Sequence, residues 1–235
     1  MISHKHQCIF IHIPKNAGQS IENIFVTDSG LTWKTRAPLL LRKNNDPAQG
    51  PSFLAHLTAE EYIKFGYISA EQFQNYFKFA VIRNPFSRAI SFYKYFKYQS
   101  TLTFNEFVPQ VFAKWLWKDE YWFVRPQSEF VSNSAGEILV NDLIKFENLD
   151  QDFQKVAKKL NVQQHSLPHV NNSDNKKPRI KFRNWREWLQ RRWVALGIKK
   201  IPTYNTYHEY YNAESKMFIS QLYHRDLELF NYSFD

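Results

Sequence analysis

The sequence predicts an α/β fold: a P-loop-like central parallel sheet flanked by helices, in a single domain. Three observations carry that reading. Residues 8–13 and 77–82 are apolar, β-favouring runs, each stopped near a proline and followed by a helical pattern. A strand buried on both faces reads as a nearly continuous apolar run, which is how the strands of a parallel sheet look. A third, shorter run at 143–146 precedes another helical stretch, so the strand-then-helix order recurs along the chain.

The elements follow in order. Residues 8–13 end at Pro14, Gly18 offers a tight turn, and 19–27 carries Ile21, Ile24 and Phe25 at i, i+3 and i+4, the stripe of an amphipathic helix. Residues 35–52 hold many breakers and no sustained period, which predicts a surface loop. Thr58 with Glu61, Ser69 with Gln72 and Thr103 with Glu106 have capping-box spacing and predict three helix starts. The run 77–82 stops at Arg83-Asn84-Pro85, after which 86–98 alternates apolar and basic residues at helical spacing. Residues 149–160 predict a helix, and 214–230 a final one carrying Met217, Phe218, Leu222, Leu227 and Phe230.

At 235 residues the chain suits one large domain, at roughly 100–200 residues per domain. A hydrophobic fraction of 43% with 17% aromatic excludes a disordered chain, and 6 Gly with 10 Pro excludes a collagen-like one. The net charge of +9 favours polyanions, among them nucleic acid, anionic lipid, phosphorylated cofactors and acidic glycans, without choosing between them. A single cysteine, Cys8, forms no intramolecular disulfide and no thiolate zinc cluster; in its apolar run it reads as a small buried residue in a reducing compartment. No stretch approaches the roughly 18–20 apolar residues of a membrane span, and the short apolar run after Gln7 lacks a signal-peptide cleavage site. These points predict a cytoplasmic protein, with a peripheral membrane contact as an alternative.

Two junctions carry chemistry. Pro14-Lys15-Asn16-Ala17-Gly18-Gln19-Ser20 follows a buried strand and opens a helix, so its amides and the helix's positive end suit an anion, with Lys15 and Ser20 as side-chain donors. Lys15 precedes the only glycine, which is not the Walker A order and disfavours a nucleotide kinase. The second junction ends a strand in Arg83 and places Arg88 and Ser91 on the following helix, a set that suits a second phosphate. His12 in the first strand reads as structural, and the remaining histidines show no metal-ligand spacing.

These motifs resemble those of the carbohydrate sulfotransferases, the family that includes chondroitin, dermatan and heparan 2-O enzymes. Phe104–Val108, Arg125–Phe130, Leu143–Leu149, Pro168–Ser173 and Leu222–Tyr232 resemble its later landmarks in order. The resemblance implies 3′-phosphoadenosine 5′-phosphosulfate as co-substrate and no metal. It implies that Lys15, Asn16, Ala17, Gly18, Gln19 and Ser20 bind the 5′-phosphosulfate, that Arg83 and Ser91 bind the 3′-phosphate, and that Asn172 and Ser173 close over the nucleotide. Lys15 suits the departing phosphate. His56, between the two phosphate motifs, is implied as the base, and an unperturbed imidazole suits proton transfer near neutral pH. Arg125 and Gln127 are implied to face the acceptor, a glycan or glycolipid. Asn16 and Gln19 depart from the family's usual threonines. Residues 174–206 look like an insertion, in which the Arg and Trp residues of 179–196 trace a basic amphipathic helix. Three roles compete for it: a helix packed on the domain, an interfacial membrane contact, or an acidic-glycan groove. A nucleic-acid-binding module and a nucleotide kinase of related fold are the rival functions.

Overall fold

The structure, a computed structural model, describes residues 1–118, 120–164, 167, 192, 194 and 196–235. The chain forms two compact units, one of Met1–Arg83 with Arg125–Asn171 and one of Asn84–Val124 with Asn172–Asp235.

The first unit is built on a four-stranded sheet in the order β1 (Ile2–Ser3), β2 (Cys8–Ile11), β3 (Phe77–Ile82) and β4 (Asp142–Lys145). Strands β2, β3 and β4 are parallel, with Ile11 opposite Ala80 and Ile82 opposite Lys145. The expected parallel sheet is corrected at one edge, where β1 pairs antiparallel with β2. A four-residue turn after Ser3 is long enough only for a hairpin, whereas a parallel neighbour needs a crossover. All of β2 and five of the six residues of β3 are buried, as the unbroken apolar runs require. Lys78, the one charge in β3, survives there because its Nζ donates to the carbonyls of Phe73 and Tyr76, each at 2.7 Å. Burial pushes this ammonium's pKa down from its ordinary value.

Helix α1 (Gly18–Asp28) packs Ile21, Ile24 and Phe25 onto Phe10 and Phe79 of the sheet, with Phe153 and Val156 of helix Leu149–Lys159 in the same core. Helices α2 (Ala59–Lys64) and α3 (Ala70–Asn75) start at the reciprocal caps Thr58/Glu61 and Ser69/Gln72. The stretch 35–52 is a loop that folds back through a bridge between Lys43 and Phe53, its Leu39 and Leu41 buried. Cys8 is wholly buried, and burial raises its thiol pKa to about 12.

The second unit has an aromatic core. Helix α4 (Pro85–Tyr95) begins at Asn84, whose side chain accepts from the Phe86 amide, and α5 (Phe104–Phe107) begins at the third capping box, Thr103/Glu106. Phe92, Tyr93, Phe104, Phe107, Phe112 and Tyr223 pack between them. The expected single helix over 214–230 is instead two, Ala213–Leu222 and His224–Leu229. The break falls at Tyr223, which is wholly buried and whose hydroxyl donates to the Val124 carbonyl at 2.6 Å; the backbone there turns to φ −108°, ψ 24°. The buried stripe is Ser215, Ile219, Tyr223, Asp226 and Phe230, and Met217 is exposed. Of the basic segment 179–196, only Arg192, Val194 and Leu196 are described; its amphipathic face otherwise lies outside the described residues, as do Asn172 and Ser173.

Candidate functional site

Parallel register brings the ends of β2, β3 and β4 to one edge of the first unit's sheet, and the residues that follow each strand meet there. After β2 the chain passes through Lys15 at φ 71° and Ala17 at φ 58°, both left-handed, before Gly18 opens α1. Non-glycine residues seldom take this conformation, and two of them alternating with ordinary backbone turn successive amides inward, a concavity that favours anions. The start of α1 has no side-chain cap, although α2, α3 and α5 each have a full capping box. The Ser20 amide donates to the Ala17 carbonyl at 3.0 Å, and the positive end of the helix still favours an anion.

Asn16 and Gln127 lock this loop to the end of β3. Buried Asn16 donates from Nδ2 to the Val81 carbonyl and to Gln127 Oε1, both at 2.7 Å. Gln127 Oε1 also accepts from the Arg83 amide at 2.9 Å, and its Nε2 donates to the Arg83 carbonyl at 2.8 Å. Gln127, expected at the acceptor, is wholly buried and uses both ends of its amide to tie the Lys15–Ser20 loop to Arg83 at the end of β3. The Arg83 guanidinium lies 4.1 Å over the Phe146 ring, just past β4, and donates to the Lys15 carbonyl at 3.2 Å. Arg125 stacks on Phe130 and pairs with Glu61 at 3.3 Å.

His56 stands beside the loop, half-buried on a one-turn 3-10 helix. Its Nδ1 is 2.9 Å from the His12 carbonyl oxygen and its ring centroid 4.4 Å from that of His12. A carbonyl only accepts, so Nδ1 carries the proton and the neutral ring keeps its lone pair on Nε2. His12 is buried, as expected, with its Nδ1 2.5 Å from Glu22 Oε1. His12, Glu22 and His56 share a cavity of about 140 Å³ with Gln19, Trp33, Arg36, Arg42 and Phe53. The Arg36 guanidinium lies 4.2 Å over the Trp33 ring. Sequence reading missed Glu22, Trp33, Arg36 and Arg42. For Glu22 a signal existed: it is i+4 from Gly18 and i−3 from Phe25, on the apolar stripe of α1.

Gly18 is required by this packing. A Cβ there would lie 2.1 Å from His12 Cδ2, and that ring is held by Glu22 and cannot swing aside cheaply. Gly18→Ala is expected to cost about 1–3 kcal/mol, the range for overpacking, measured by urea unfolding; a loss below 0.5 kcal/mol, roughly the effect of a surface change, would refute the contact.

Ser91 and Arg88 belong to the second unit. Ser91 is half-buried on α4. Arg88, expected beside a phosphate, is corrected: its side chain is wholly buried, with its guanidinium 4.9 Å over Phe92 and 5.6 Å over Tyr223, and it interacts electrostatically with buried Asp226. A guanidinium enclosed in this way serves the core, not a ligand. Among the described residues no group of three or more His, Cys, Asp or Glu is arranged to hold a metal, and no helix is long and apolar enough to cross a membrane.

Searches of curated proteins and of solved structures return no match. A family model described as the sulfotransferase family matches residues 1–233. With the match running almost from end to end, the chain belongs to the sulfotransferase family, whose shared chemistry is sulfuryl transfer.

Proposed function

We propose that the protein moves the sulfuryl group of 3′-phosphoadenosine 5′-phosphosulfate to a hydroxyl of a carbohydrate or glycolipid. The observation that carries this reading is the tie through Asn16 and Gln127, which fixes the Lys15–Ser20 loop against Arg83. The match across residues 1–233 supports reading the two units as parts of one catalytic domain.

The loop fits a phosphosulfate: its left-handed residues, of the kind that turn amides toward an anion, the positive end of α1 and the Lys15 ammonium all favour one. When bound, the nucleotide supplies the activated sulfuryl group. Lys15, the loop backbone and the positive end of α1 hold the 5′ end and stabilise the charge that develops on the departing phosphate. Arg83 is assigned to the 3′-phosphate by resemblance and tested by its own variant; Ser91 has that role by resemblance alone. His56 Nε2 takes the proton of the acceptor hydroxyl as its oxygen bonds to sulfur and the sulfur–oxygen bond to the phosphate breaks in line. Buried, high-pKa Cys8 takes no part in this step.

Calorimetric titration with 3′-phosphoadenosine 5′-phosphate tests the donor site, with ADP as control. The expected result is micromolar binding that prefers the 3′-phosphate and weakens at least tenfold in Lys15→Ala and in Arg83→Ala. Equal binding of ADP, or none, would sink the assignment.

A further inference from the structure

His12 and Glu22 need an explanation that their burial does not supply. The Glu22 side chain is 4% exposed and the His12 side chain 8%. Burying a carboxylate and an imidazole costs free energy that pairing only partly repays, and an apolar pair of the same volume is often as stable or more so. A buried ionisable pair is therefore weak evidence for stability and better evidence for placement.

What this pair places is visible around the His12 ring. One side meets Gly18, where no side chain fits. Its Nδ1 meets Glu22 on α1. Another side meets the His56 ring at 4.4 Å, and the His12 carbonyl accepts from His56 Nδ1. Charged and titratable groups among the described residues face the pair from several elements. Glu22 interacts with the Met1 amine and the Tyr62 hydroxyl, and the cavity that His56 shares with it also holds Arg36 and Arg42.

We propose that His12 and Glu22 are positioning residues for His56, holding its ring in the Nδ1–H tautomer beside the anion loop and supplying the negative charge that favours its protonated form. The inference rests on His56 being the base. Glu22 accepts the His12 Nδ1 proton and so fixes that ring's orientation; His12 in turn fixes His56 by its face and its carbonyl. When His56 takes the acceptor's proton, the new imidazolium shares its cavity with a carboxylate, which opposes the two arginines.

Glu22→Gln removes the charge and keeps the shape. Loss of a negative neighbour disfavours the imidazolium, so the acid limb of the pH–rate profile and the NMR titration of His56, assigned against His56→Ala, are both expected to move to lower pH by about 0.5–1 unit. kcat is expected to fall about tenfold, a typical loss for an outer partner of a working residue, with binding of 3′-phosphoadenosine 5′-phosphate unchanged. His12→Asn, whose Nδ2 can donate to Glu22 as Nδ1 does, is expected to retain more activity than His12→Ala. If Glu22→Gln folds with the His56 titration and the acid limb unmoved, the proposal is overturned, whatever happens to kcat. Absence of sulfuryl transfer by the wild-type protein would defeat the functional reading instead, and the NMR titration still decides the pairing.

Discussion

Arg88→Met is expected to lower the unfolding free energy by about 3–5 kcal/mol, the cost of stranding one member of a buried charge pair. The guanidinium is enclosed by the rings of Phe92 and Tyr223, and Asp226, the carboxylate that offsets it, is also fully buried. Methionine fills much of the volume but removes the positive charge that acts on that carboxylate. Urea unfolding followed by tryptophan fluorescence measures the loss. The double variant Arg88→Met with Asp226→Leu is expected to recover a good part of it, because removing both charges removes the desolvation cost along with the attraction. The result also separates two roles for Arg88. A phosphate ligand would lose nucleotide affinity at near-normal stability, whereas the core residue seen here loses stability first.

His56→Ala is expected to reduce kcat by about 10²–10⁴-fold, the usual contribution of a positioned general base, while the affinity for 3′-phosphoadenosine 5′-phosphate stays within about twofold. The geometry behind this is the bond from Nδ1 to the His12 carbonyl, which leaves Nε2 as the basic nitrogen. The variant's residual rate is expected to lose the acid limb that protonation of His56 imposes on the wild-type profile. Single-turnover transfer with labelled donor measures the chemical step apart from product release. A variant that keeps more than half of the wild-type rate would move the base elsewhere.

Local patterns forecast the fold well because local physics decides them. The three capping boxes stand where their spacing put them, and Phe77–Ile82 is a strand to the residue. What escaped the sequence was decided at a distance. Tyr223 interrupts a periodic helix because its hydroxyl bonds a carbonyl 99 residues away. Arg88 has the spacing of a ligand but meets rings and a carboxylate from the far end of the chain. At the candidate site, the Lys15–Ser20 loop and Arg83 were legible as strand-to-helix junctions. Gln127 was legible as a landmark, but its bonds to residues 111 and 44 positions away leave no trace in local spacing. Glu22 lay on a readable stripe, where a carboxylate among Ile21, Ile24 and Phe25 was itself the anomaly.

The Asn16–Gln127 tie also constrains how this sequence drifts. Asn16 Nδ2 supplies two protons, one to Val81 and one to Gln127, whereas threonine at that position has a single hydroxyl proton to give. An exchange at 16 alone gives up one of these two bonds, while Gln127 Oε1 keeps the Arg83 amide, so the expected cost is that of a single hydrogen bond, about 0.5–1.5 kcal/mol. The tie at 127 therefore tolerates change at 16, whereas a change at 127 removes the bonds to Arg83 and the one to Asn16 together.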